Sequence, residues 1–101
     1  MPIITQYNAK SKILTIKTPE RFDFSSHKFF VEAVQQILPT MNMIVVDLQR
    51  TEHLESSALG MLLVVREKAV DQRQQIRVIN ARPRVENVLR IAKFDRLFAL
   101  A

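Results

Sequence analysis

Between Met43 and Leu48 the chain reads Met-Ile-Val-Val-Asp-Leu, an apolar run in which only Asp47 is polar and no alternation marks a wet face. Such a strand suits the centre of a sheet covered on both sides, as in folds where helices join parallel strands. The flanking segments supply both kinds of element. Ile3 to Tyr7 and Lys12 to Lys17 are short β-branched-rich runs separated by Asn8-Ala9-Lys10-Ser11, a spacing that predicts an antiparallel hairpin. Ser25 and Ser26 offer capping hydroxyls to a helix over 26–38, with Phe29, Phe30, Ala33, Val34, Ile37 and Leu38 on one face before Pro39. From Ser57 to about Val70 the pattern is helical and apolar nearly all round, so this second helix reads as largely buried, with only Arg66, Glu67 and Lys68 wet. Ile76, Val78 and Ile79 make a fourth strand. Pro83 opens a third helix with Val85, Val88, Leu89, Ile91 and Ala92 inward, and Phe94 to Leu100 form a closing apolar cluster.

The order is therefore β-β-α-β-α-β-α, one α/β domain over residues 1–101. It predicts a four-stranded mixed sheet, an N-terminal antiparallel hairpin followed by parallel strands, with three to four helices. Right-handed crossovers bring the loops Arg21 to Ser25, Gln49 to Glu55 and Asn80 to Arg82 to one edge, where open α/β sheets usually meet ligands or partners. A chain of 101 residues, 48% apolar and 25% charged, has enough to bury for a core of its own.

Scarcity narrows the chemistry. Gly60 is the single glycine and there is no cysteine. A phosphate-binding P-loop, a dinucleotide-binding GxGxxG turn and a GxSxG nucleophile elbow each need several glycines, so none is encoded. Disulfides, thiol catalysis and cysteine zinc sites are likewise excluded. His27 and His53 lack the spacing of a metal pair and read as surface or packing residues. Inside a helix a glycine is unfavourable by about 1 kcal/mol relative to alanine, so Gly60 is expected to mark a close approach of helix to strand.

Charge is unevenly placed. Residues 1–65 hold six basic and six acidic side chains, whereas 66–101 hold nine basic and four acidic, which is the whole of the +5 net charge. The basic residues are not interleaved with aromatics, so a solvated helical face explains them better than a nucleic-acid surface. No N-terminal signal pattern appears and the longest apolar run, Ala58 to Val65, is too short to span a bilayer; a cytoplasmic location without membrane insertion is expected.

The stretch with most to say about function runs from the apolar strand through a polar loop to Glu55-Ser56-Ser57-Ala58-Leu59-Gly60 at the start of the apolar helix. It closely resembles the STAS domain (sulphate transporter and anti-sigma-factor antagonist), whose hallmark is a strand, a loop and an Asp-Ser-Ser-Gly-Leu-Gly helix start. The likeness extends over essentially the whole chain, including Arg21-Phe22-Asp23 before the first helix and Phe94-Asp95-Arg96-Leu97-Phe98 after the last. Glu55 stands where the family usually has Asp, and Ala58 where it usually has Gly.

The resemblance implies a non-enzymatic module with no cofactor. Its unphosphorylated form would bind an anti-sigma factor or related regulator, and a serine kinase and a phosphatase acting on Ser56 would release and restore the complex. Ser57 is the second candidate for the modified serine. The partner-binding residues implied are Asp23, Glu55, Ser56, Ser57 and Ala58. Physical chemistry agrees with such a switch: a phosphate at a helix N-terminus meets free N–H donors and the positive end of the dipole. STAS modules also occur in transporters, so the alternative is a scaffold subunit docking on the ATPase of a membrane transporter. Asp23 and Asp47 each have a plainer reading, as a charge at a helix start and a strand-end residue.

Overall fold

The computed structural model describes residues 3–100. Strands β1 (Ile4–Asn8) and β2 (Ile13–Lys17) form the expected hairpin, with Tyr7 opposite Leu14. Its turn is closed by Lys12 N–H donating to the Asn8 carbonyl at 2.7 Å, while the Asn8 side chain accepts from the N–H groups of Lys10 and Ser11. Asparagine suits this place because its short acceptor bonds its own following backbone. Next come β3 (Arg21–Phe22), α1 (His27–Gln35), β4 (Met43–Asp47), β5 (His53–Leu54) and α2 (Ser56–Asp71). The chain closes with β6 (Gln75–Ile79), α3 (Pro83–Ile91) and β7 (Ala99–Leu100).

The main sheet has the order β1-β2-β4-β6-β7, antiparallel at the hairpin and parallel thereafter. The four expected strands are thus joined by a fifth, β7, which is two residues long and carries no pattern that sequence could reveal. Arg66 Nε donates to the Leu97 carbonyl at 3.0 Å and Phe94 stacks on Phe98 at 5.6 Å, holding the tail where β7 can pair with β6.

The crossovers from β2 to β4, β4 to β6 and β6 to β7 all step the same way, so right-handed connections set the three helices on one face. The core lies between them. Leu14, Ile16, Ile44, Val46 and Val78 of the sheet meet Phe30, Ala33, Leu62, Val65, Val85 and Leu89 of the helices in one cluster. Val45 is 8% exposed yet stands outside that cluster, because its side chain points to the opposite face. The expectation that the Met43–Leu48 run is covered by helices on both sides is therefore corrected: the helices lie on one side, although Val45 and Asp47 on the other are themselves nearly buried.

Helix phasing differs from the sequence reading in three places. A 3₁₀ turn over Phe24–Ser26 precedes α1, and Asp23, not a serine, caps it through Ser25 N–H. Helix α1 then stops at Gln35, with Gln36 and Ile37 donating to Ala33 and Val34 in tightened turns, since Pro39 disfavours a helical Leu38. Phe30, Ala33 and Ile37 face inward, leaving Phe29 and Leu38 exposed. In α3, Val85 and Leu89 are buried one turn apart, which sends Ile91, expected inward, to the far side at 73% exposure.

In α2 the buried set is Ala58, Met61, Leu62, Val65 and Ala69, a helical stripe, so Gly60, Leu63 and Val64 face outward. This corrects the picture of a nearly enclosed helix. A helix apolar on every side has no phase to read; contacts with the sheet choose one. Gly60 is corrected as well, since a Cβ built there meets no heavy atom within 4 Å. Meanwhile Lys12, Arg73, Asn80 and Lys93 hold left-handed backbone with φ from 58° to 63°. Arg73 and Lys93 follow the helix ends at Gln72 and Ala92, where glycine is the usual residue.

Candidate functional site

The three loops at the C-terminal edge of the sheet are bound to one another. Strands β3 and β5 form a two-residue parallel ladder, Arg21 beside His53 and Phe22 beside Leu54. The Glu20 carbonyl accepts from both Glu52 and His53, and Glu55 N–H donates to the Phe22 carbonyl at 3.1 Å. Asp23 and Ser56 therefore leave neighbouring strands within a residue or two of the last bond between them. Phe22, fully buried against Phe30 at 5.5 Å, anchors the first loop to the core.

A buried hydroxyl pair braces the same loops. Thr51 Oγ1 donates to the Pro19 carbonyl at 2.7 Å and lies 2.6 Å from Thr18 Oγ1, both residues being fully buried. With the Thr51 hydrogen committed to Pro19, Thr18 is the donor between them. Sequence reasoning missed this pair, because two loop threonines 33 residues apart carry no shared pattern. Asp47 ties the second loop to the third, its Oδ1 accepting from Gln49 N–H at 2.9 Å and Asn80 Nδ2 at 3.1 Å. Its plainer reading, a strand-end residue, describes it. Arg82 completes the edge by donating from Nε to the Gln49 carbonyl at 3.0 Å and pairing with Glu52 at 3.6 Å. Among the described residues no group of three or more His, Cys, Asp or Glu could hold a metal ion.

On this braced edge α2 begins. Glu55 is its N-cap in extended backbone, and no side chain caps the helix, so the first-turn N–H groups keep donors for an incoming acceptor. The serines therefore do not serve as the caps that a structural reading would make of them. Ser56 is the first helical residue and is exposed, whereas Ser57 is half-buried. Ala58, expected among the partner contacts, is fully buried in the core cluster and offers no surface; its place in the stripe with Leu62 and Val65 turns it inward. Glu55 is exposed beside Ser56. Ser56, Gly60, Leu63, Val64 and Glu67 make one outward stripe over three turns.

Asp23 is not a free carboxylate. It accepts from the Ser25 hydroxyl and from Ser25 N–H at 2.9 Å, and the hydroxyl bond first, with the N–H bond second, holds its carboxyl below the usual value. Next to it Phe24 is 68% exposed and stacks on the His27 ring at 5.0 Å. Sequence reasoning passed over Phe24, although an aromatic residue in a turn of Asp, Ser and Ser has no helical stripe to join.

The family model described as "Mlab, STAS domain" matches residues 5–100. The chain belongs to the STAS family. A STAS-domain containing protein of Pseudomonas aeruginosa strain UCBPP-PA14 is 39% identical over 101 residues, the full length of both chains. Among solved structures, an anti-sigma-factor antagonist (STAS) domain protein of Planctomyces limnophilus superposes with a TM-score of 0.80 at 18% identity, covering 97% of this chain and 87% of that one. The anti-sigma factor antagonist SpoIIAA in its unphosphorylated form gives a TM-score of 0.78 at 14% identity, covering 98% and 87%. The phosphorylated form of Bacillus SpoIIAA gives 0.68 at 14% identity, covering 98% and 90%. These likenesses establish a STAS fold of the kind found in anti-sigma-factor antagonists. No helix among the described residues is long and apolar enough to cross a membrane.

Proposed function

We propose that this STAS protein is a cytoplasmic binding module that holds an anti-sigma factor or related regulator, and that a kinase releases the complex by phosphorylating Ser56. A phosphatase restores it. The observation that carries the reading is the exposed Ser56 at the uncapped start of α2, beside the Asp23 loop and at the head of a stripe containing Gly60, Leu63 and Val64. Asp23, Glu55, Ser56 and Ser57 form the polar end of the contact surface, and Phe24, Leu63 and Val64 its apolar part.

A phosphate on Ser56 meets the first-turn N–H groups and the positive helix end, so the domain stays folded. It adds a charge of about −1.5 to −2 next to Glu55. Burying that charge against a partner without a matching cation costs several kcal/mol, a large part of the roughly 8 kcal/mol of a micromolar complex. No base is hydrogen-bonded to Ser56 among the described residues, which fits a serine acted on by another enzyme and not a nucleophile of its own.

The test is phosphorylation of the purified chain by the candidate kinase with ATP, followed by partner binding. Ser56→Ala should resist modification and keep binding, and Ser56→Asp should lose it. Phosphorylation of Ser56→Ala to the wild-type extent, or unchanged binding by Ser56→Asp, refutes the proposal. The apolar stripe beyond Ser56 favours a second reading, a permanent contact with the ATPase of a membrane transporter. In that case Leu63→Asp abolishes co-purification with an ATP-binding subunit, while the chain from its own cells carries no phosphate on Ser56.

A further inference from the structure

The sheet has a second face, on the side away from the helices. The register places Ile13 and Met43 side by side at the start of the strands on this face, Val45 in the middle row between Thr15 and Arg77, and Ile79 beside Asp47 at the strand ends, and none of the four apolar residues belongs to the core cluster or packs against it. Lys17 on β2 and Arg77 on β6 flank that patch, one strand to either side of β4. Asp47 is the one carboxylate of the strands on this face among the described residues, and it is buried with its Oδ1 already accepting twice. A largely parallel sheet with helices on one side only is unusual, because such sheets are normally covered on both faces.

We propose that this face receives an acidic amphipathic helix of a partner protein, lying along β4 with its apolar stripe on Met43, Val45 and Ile79 and its carboxylates toward Lys17 and Arg77. Adjacent strands are about 4.8 Å apart, so β2 and β6 stand about 10 Å from each other, close to the diameter of a helix. Acids on both flanks of one helix would then reach both cations. A second copy of this chain fits poorly, since a two-fold interface would set the basic flanks of one copy against those of the other. Nucleic acid fits poorly too, because the face carries no aromatic ring on which a base could stack. The surface is separate from Ser56, which lies on the helix side.

The experiment titrates the full chain, isotope-labelled for amide NMR, with a synthetic helix bearing a leucine stripe and glutamate flanks, and with the same peptide carrying lysine for glutamate. The acidic peptide should shift the amides of Thr15, Val45 and Arg77, and its binding should weaken as salt is raised. Lys17→Glu with Arg77→Glu should weaken it about tenfold, Lys17→Ala with Arg77→Ala should do so by less, and Ser56→Asp should leave it unchanged. Melting curves check that each variant is folded. Absence of shifts, shifts confined to α2 and the edge loops, or equal binding by the lysine peptide overturns the proposal. So does sedimentation as a dimer that the double glutamate variant abolishes, which would assign the face to a second copy.

Discussion

Replacing Gly60 with alanine tests the reading of α2 most directly. Gly60 lies in the interior of a 16-residue helix, its φ is not positive, and a Cβ there meets nothing within 4 Å. No backbone requirement and no steric limit therefore opposes the substitution. Alanine should recover the helix propensity lost at this position, about 0.8–1 kcal/mol, by reducing the entropy of the unfolded chain. Little burial energy adds to this, since the methyl would be in solvent. For a domain near 100 residues a change of that size raises the melting temperature by about 4 °C. The assay is paired thermal and urea unfolding at one pH, where the urea midpoint should rise with an unchanged slope. An unchanged or lowered melting temperature would refute the argument, for it would mean that some contact needs a bare Cα at this position. The companion measurement is binding: the methyl would project one turn beyond Ser56 on the proposed contact stripe, so Gly60→Ala should stabilise the free protein while weakening its complex.

Lys93→Gly should also stabilise the fold, by up to about 1 kcal/mol, because lysine there holds left-handed backbone with φ of 63° just after α3; urea unfolding reads it. Thr51→Val keeps the shape but strips the Pro19 carbonyl of its buried donor, leaving the Thr18 hydroxyl to donate to the Asp47 carbonyl 3.3 Å away, so unfolding should show a loss of about 1–3 kcal/mol. Phe22→Ala should remove about 3–5 kcal/mol by opening a cavity beside Phe30, and the partner interaction should weaken with it as the Asp23 loop loses its anchor. The Asp23 carboxyl titrates below its ordinary 3.8 when folded, so its contribution is present above that value and is lost as acid takes the pH down through the folded one. Melting curves from neutral pH downward should therefore show Asp23→Asn with a shallower acid decline than the wild-type chain.

Much of the fold could be read locally. The hairpin is written in β-branched runs around Asn8, and Pro83 and the Val85, Leu89 spacing place α3. The Glu55-Ser56-Ser57 segment, with the strand before it and the apolar run after it, was legible as the start of the helix α2. Less was legible where two distant segments share a job. Thr18 with Thr51, and Phe22 with Glu55 across the β3–β5 ladder, are contacts between loops whose sequences say nothing of each other. The nine basic residues of 66–101 also become distinct only in space. Arg66 holds the tail, Arg82 braces the edge, Arg90 pairs with Glu86 and Asp95, and Arg77 stands on the open sheet face.

Periodicity and turn chemistry are properties of a few neighbouring residues, so the amino-acid sequence by itself determined the succession of the longer elements, β-β-α-β-α-β-α, but not the two-residue strands β3, β5 and β7 that pair only in the folded chain. Facing is a property of the whole chain. For α2, apolar on all sides, only packing against the sheet could decide that Ala58 and Leu62 go inward and that Gly60, Leu63 and Val64 remain outside. For β4, equally apolar, only the common direction of three crossovers could decide that Ile44 and Val46 enter the core while Val45 is left on a face without helices.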